Sequence, residues 1–224
     1  MFRLAAESGV DVDFHADFSD EPEHLHVRDI AEQAIRRGWQ GRGAVGHLTE
    51  IAALVPAEQD AVIGEIRSAA LGVIVLPATD LYRMGRTDAK NARRGLAPAR
   101  RLLAAGVPVA AARNNVRNAF TPVGTGDLAL MAFLVSVGCH MGTRRDLLEA
   151  LAMITTHPSR ILGREPAVIA VGAPADLVVS DAGRPEDAIA TLAPRRSVVK
   201  RGRVTVEHAH SVRERWRERD APDA

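Results

Sequence analysis

Val10-Asp11-Val12-Asp13-Phe14-His15-Ala16-Asp17 is the stretch whose reading decides the fold. Val10, Val12 and Phe14 alternate with Asp11, Asp13 and His15, the period of two that a strand imposes. The apolar run then stops, and His15 and Asp17 fall at its carboxyl end, followed by the turn and helix-start residues Ser19, Asp20 and Pro22. Strand, polar end, short loop and helix form the repeating unit of a (β/α) barrel, in which chemistry sits at the carboxyl ends of the strands. A histidine at such an end is a candidate ligand; the plain alternative is a histidine satisfied by local hydrogen bonds.

The unit recurs on the carboxyl-terminal side. Glu21 to Arg37 carries Leu25, Val27, Ile30, Ala34 and Ile35 at helical spacing, with acids early, arginines late and Gly38 after the end. Gly43 to Thr49 reads as a second strand with His47 at its exit, and Pro56 to Ala70 as a helix with proline in its first turn. Gly72 to Asp80 is a third, nearly all-apolar strand, as expected where both faces are buried. A long polar connection, Leu81 to Arg94, has the composition of a loop covering a pocket, and a basic helix follows from about Gly95 to Ala105. Val107 to Ala112 is a fourth strand, running into Arg113-Asn114-Asn115. Apolar helices follow at Leu128 to Val137 and Leu147 to Ile154, the second opened by Thr143 with Asp146 three residues on, close to a capping box. Upstream, Met1 to Gly9 reads as the tail of a helix.

Four strand-then-helix units predict a parallel α/β fold that is half of an eight-fold barrel. From Gly172 the texture changes: Ala175 to Asp181 and Arg196 to Val206 are β-rich. The expected organisation is therefore a partial barrel over residues 1–166, an appended β segment over 167–209 and a polar tail over 210–224, a solvated helix or frayed end around Trp216.

Composition narrows the partners. The chain has 224 residues, 46% hydrophobic and 25% charged, with a net charge of +1, which gives no electrostatic case for nucleic acid or an anionic membrane. Arg93, Arg94, Arg100 and Arg101 cluster in sequence but lack interleaved aromatics. Cys139, the one cysteine, lies in an apolar helical run and reads as a packed small side chain in a reducing compartment. No stretch has the length to span a bilayer and no signal peptide is legible, so the expected location is cytoplasmic.

Donors gather at the strand ends: His15 with Asp17, His47, and Asn114 with Asn115. Neutral imidazoles on neighbouring strands suit zinc or iron, although a catalytic site needs about three protein ligands. His24 and His26 lie two apart on a predicted helix, point to different faces and read as surface residues. Gly124-Thr-Gly126 reads as a tight turn, and no Gly-x-Ser-x-Gly elbow supports serine hydrolysis.

His15-Ala-Asp17, Gly46-His47, Asn114-Asn115-Val116 with Phe120-Thr-Pro-Val-Gly124, Thr156-His-Pro-Ser-Arg-Ile-Leu162 and Gly172-Ala-Pro-Ala-Asp-Leu-Val178 follow one another in an order that resembles the carboxyl-terminal half of the amidohydrolase superfamily, most like the cytosine deaminase group. The resemblance runs over nearly the whole chain and implies barrel strands five to eight. It implies that His15 binds the catalytic metal, that His47 holds the attacking water or the metal, and that Asn114 stands where the family has a metal-binding aspartate that acts as general base. Asn115 takes the place of the following aspartate, Phe120 that of an aromatic residue covering the substrate, and Phe18 that of a proton-shuttling glutamate, a role Asp17 could assume. The family's strand-one His-x-His has no counterpart here.

The function so implied is metal-dependent hydrolysis of a C–N bond in a nitrogen heterocycle, an aminopyrimidine or a related small molecule. The alternative is a catalytically inactive half-barrel, a remnant or assembly partner. An open half-barrel leaves an apolar face and two unpaired edges, so either a homo-oligomer or a separate amino-terminal half is expected as partner.

Overall fold

The computed structural model describes residues 1–166, 168–209, 211 and 213. The expected tail around Trp216 lies outside the described residues, apart from Ser211 and Arg213. Four strands, β1 (Val12–Ala16), β2 (Gly43–His47), β3 (Gly72–Val75) and β4 (Val109–Ala111), form a parallel sheet in chain order. Their register aligns Phe14 with Val45, Val45 with Val73, and Val73 with Val109. Every residue of β2 and β4 is buried, whereas β1 alternates, because β1 is an edge and the others are covered.

Helices fill the intervals: α1 (Phe2–Ser8), α2 (His26–Arg36), α3 (Pro56–Ser68), α4 (Pro77–Arg83), α5 (Ala99–Ala104), α6 (Leu128–Gly138), α7 (Arg144–Ala152) and α8 (Thr156–Ile161). Gly9 closes α1 in the left-handed conformation, and Thr143 and Asp146 make the reciprocal capping box on α7. The core is continuous, with Val45, Val62, Ile66, Val73, Leu102, Met131, Val135 and Met153 fully buried. At the start of β3, Gly72 admits α8: a Cβ there would stand 2.7 Å from the Ile161 side chain.

Several boundaries differ from the sequence expectation, among them the second strand, which ends at His47 rather than Thr49, where a short 3-10 helix (Thr49–Ala53) begins. The third strand ends at Val75 rather than Asp80, because Pro77 opens α4, and a proline suits a helix's first turn better than a central strand. The helix expected from Glu21 starts at His26, where the Asp17 side chain caps it: Oδ1 accepts from the His26 N–H at 2.8 Å and Oδ2 from the Val27 N–H at 3.0 Å. The basic helix begins only at Ala99, after Pro98.

The sheet's two edges are not equivalent. The outer edge of β4 is sealed by the chain itself: the Ala111 N–H donates to the Met153 carbonyl at 2.9 Å, and His157 Nδ1 meets the Val109 carbonyl at 3.0 Å. The expectation of two unpaired edges is thereby corrected to one, because the segment joining α7 to α8 satisfies the polar groups of β4.

A second sheet, β5 (Leu177–Ser180), β6 (Arg195–Lys200) and β7 (Arg203–Glu207), is antiparallel, with a short helix α9 (Asp187–Ala190) between β5 and β6. Arg201 and Gly202, at φ 50° and 75°, make the tight β6–β7 turn, since positive φ at both central residues matches strand twist. Val178 and Val204 are more than half exposed. No helix of the described residues is long and apolar enough to cross a membrane.

Because the Asp17 carboxylate is buried and accepts two backbone N–H groups, Asp17→Ala is expected to destabilise the chain by about 2 kcal/mol in urea unfolding. Asp17→Asn, which keeps one acceptor, should cost less.

Candidate active site

Adjacent strands deliver His15 and His47 to the same end of the sheet, where His15 Nδ1 lies 3.1 Å from His47 Nε2. His15 is exposed and His47 is only 3% exposed. Behind His47, Nδ1 meets the Asp80 Oδ1 at 2.8 Å; Asp80, in the first turn of α4, is fully buried. Asn114, just beyond β4, places its side-chain Nδ2 3.4 Å from His47 Nε2. Three chain segments therefore converge on the imidazole that β2 carries.

The backbone at this rim is strained. Asp17, His47 and Leu48 have φ of 53°, 76° and 57°, conformations that non-glycine residues adopt sparingly and that cluster at functional sites. Phe18 packs on the His47 ring with centroids 4.2 Å apart. Burial pushes the Asp80 carboxyl above the ordinary carboxylate range, an effect opposed by its hydrogen bond to His47. Burial also raises Glu50, helped by the nearby charge of Asp17.

The other residues singled out in the sequence lie elsewhere. Asp17, expected to assist proton transfer, instead has both carboxylate oxygens committed to capping α2, because the chain turns back over the rim before that helix begins. Asn115 is engaged in its own loop, its Oδ1 accepting from Asn118 at 2.6 Å and its carbonyl from Arg113 Nε at 2.7 Å. Phe120 is 55% exposed, with the Arg83 guanidinium 5.8 Å from its ring centre. His24 and His26 are both exposed, as expected, but they do not point to different faces of a helix: α2 begins only at His26, and the two rings meet edge to face with centroids 4.9 Å apart. Asp80 is the site residue that the strand reading passed over; its signal was an aspartate three residues after a proline at the end of an apolar run.

The connection expected to cover a pocket is tied down. Arg93 grips Asp88 through Nε and Nη2, each at 2.9 Å, and reaches Glu21 at 2.6 Å, while the Gly85 N–H donates to Asp20 at 2.8 Å. Arg93, Arg94, Arg100 and Arg101 line a cavity of about 460 Å³ beside Cys139. Arg101 is itself paired with Asp60, and Arg93 with Asp88 and Glu21, so two of these four arginines are offset by carboxylates. Burial pushes the Cys139 thiol up, which keeps it protonated and inert.

The donor set fits part of a metal site. Two ligands each about 2.0–2.1 Å from one zinc ion lie roughly 3.3 Å apart at a tetrahedral angle, and the two imidazole nitrogens are 3.1 Å apart. Among the described residues no group of three or more His, Cys, Asp or Glu side chains converges to hold an ion. The Asn114 amide is the next polar group in reach.

Residues 1–206 match the model of the amidohydrolase family, and the chain belongs to that family. It is 33% identical over 207 residues to a pterin deaminase of Rhizobium rhizogenes (strain K84 / ATCC BAA-868), covering 91% of this chain and 47% of that protein. It is 29% identical over 207 residues to the N-isopropylammelide isopropyl amidohydrolase of Pseudomonas sp. (strain ADP), covering 92% of this chain and 48% of that protein. Among solved structures it is similar to 5-methylcytosine deaminase from Klebsiella pneumoniae liganded with phosphonocytosine, with a TM-score of 0.88 and 25% identity, over 95% of this chain and 52% of that one. The chain spans about half the length of the relatives it matches.

The Asp88–Arg93 clamp sets a pH expectation. Hydrogen bonds from the Arg93 side chain and backbone lower the Asp88 carboxyl to about 2. A carboxyl lowered on folding contributes fully above its unfolded value of about 3.9 and loses that contribution as pH falls toward the folded one. Carboxyl titration by NMR should therefore find Asp88 ionised at pH 3 and, in Arg93→Ala, returned to the ordinary range.

Proposed function

We propose that the chain forms barrel strands five to eight of a metal-dependent hydrolase that deaminates a nitrogen heterocycle, in the manner of the cytosine deaminase group. The observation that carries this reading is the convergence of His15, His47 and Asn114 at the carboxyl ends of parallel strands, where such folds hold their chemistry. The relatives named above, whose own names describe deamination of a pterin, amidohydrolase action on N-isopropylammelide and deamination of 5-methylcytosine, support a small heterocyclic substrate.

Residues 1–166 make up the partial barrel in this reading, and 167–209 the appended β segment. His15 would hold a zinc or iron ion, together with His47 or alone, and the ion when bound would supply Lewis-acid activation of the attacking water. His47, held rigidly from behind, aims Nε2 at the rim, where it can accept a hydrogen bond from the attacking water. Asn114 can orient that water, but an amide cannot take its proton near neutral pH. Phe18, in contact with His47, offers an apolar wall to a flat ring.

The second reading, a half-barrel without catalysis of its own that docks onto a partner, is favoured by the lack, among the described residues, of any group of three His, Cys, Asp or Glu side chains placed to hold an ion. Its partner, a second copy or an amino-terminal half, would use the outer edge of β1.

Ammonia release from cytosine, other aminopyrimidines, pterins and aminotriazines, measured with zinc or iron supplied, separates the two readings. Under the first, His15→Ala abolishes turnover and Asn114→Asp raises it about 100-fold, the scale of general-base catalysis. A folded chain that releases no ammonia, with or without Asn114→Asp, supports the second.

A further inference from the structure

We infer that Asp80 is a positioning residue whose carboxylate fixes His47 as the Nδ1–H tautomer, leaving the Nε2 lone pair facing His15 and Asn114. The inference rests on the reading of His47 as a site residue, although its test does not require turnover.

The two oxygens of Asp80 have separate partners. Oδ2 accepts from the Leu76 N–H at 3.3 Å, a bond that spans the end of β3 and the first turn of α4. Oδ1 lies 2.8 Å from His47 Nδ1. Neither side chain can trade its partner for water, since Asp80 is fully buried and His47 is 3% exposed. A neutral imidazole carries one N–H, and an ionised carboxylate can only accept, so the proton belongs on Nδ1. The opposite side of the ring agrees: Nε2 faces His15 Nδ1 and the Asn114 amide, both able to donate to it. His47 holds a left-handed backbone at φ 76°, and Phe18 packs against its ring with centroids 4.2 Å apart, so a swing of the ring to another partner would have to displace Phe18.

Asp80→Asn discriminates this role from simple capping of α4. The Leu76 N–H can be satisfied only by the amide oxygen, which leaves the NH2 group facing His47 Nδ1. That group donates, so Nδ1 must become the acceptor and the proton moves to Nε2. A purely structural cap would leave the ring's tautomer untouched.

The test is long-range ¹H–¹⁵N NMR of the histidine rings in the full chain, above the pH at which imidazole protonates, with the His47 signals assigned through His47→Gln. Wild type is expected to show a protonated Nδ1 and a bare Nε2, and Asp80→Asn the reverse, with the remaining backbone amide spectrum preserved. A wild-type His47 protonated at Nε2 overturns the inference, as does a folded Asp80→Asn chain whose His47 tautomer is unchanged. Should Asp80→Asn not fold, the wild-type spectrum decides alone. Failure of the deaminase reading would show separately, as a chain without ammonia release whose His47 tautomer is nonetheless Nδ1–H.

Discussion

The buried contact between His47 and Asp80 is the constraint on which the rim depends. An imidazole that is 3% exposed is costly to bury unless its nitrogens are satisfied, and here one is met by a carboxylate from α4 while the other faces His15 and Asn114. The same contact ties β2 to the segment after β3, so the sheet, the helix start and the ring orientation stand or fall together. The left-handed backbone at His47 and Leu48 is tolerated because these contacts over-determine it.

Around that contact the fold follows from ordinary rules. Parallel strands buried on both faces give the apolar runs of β2, β3 and β4, and the helices between them bury one face each. The sheet is asymmetric: the chain seals the outer edge of β4 with Met153 and His157, whereas no further strand pairs with the outer edge of β1 among the described residues, and the second sheet carries exposed valines.

Much of this was legible in the sequence where the signal was local. The alternation before His15, the strand opening at Gly43, the Thr143–Asp146 box and the Gly9 stop all occupy a few consecutive residues, and each appears where expected, although the second strand stops at His47, two residues short of Thr49. What escaped was set by contacts distant in the chain. The start of α2 is fixed by Asp17, nine residues before His26, and no local pattern announces that cap. The apolar run, continued through Pro77, makes Asp80 the polar end of a strand; with Pro77 at a helix start instead, Asp80 turns back toward His47, 33 residues earlier. Asn114 stood out by resemblance, and its place beside His47 across 67 residues is a property of the fold alone.

Zinc binding by the purified chain, followed by X-ray absorption of the bound ion and compared with His15→Ala and His47→Ala, tests the central claim that the two rings form one metal-binding rim. The account predicts about one ion per chain at a site with imidazole nitrogen ligands, lost in either variant. A chain that takes up no zinc, or binds it equally well without His15 and His47, would contradict it.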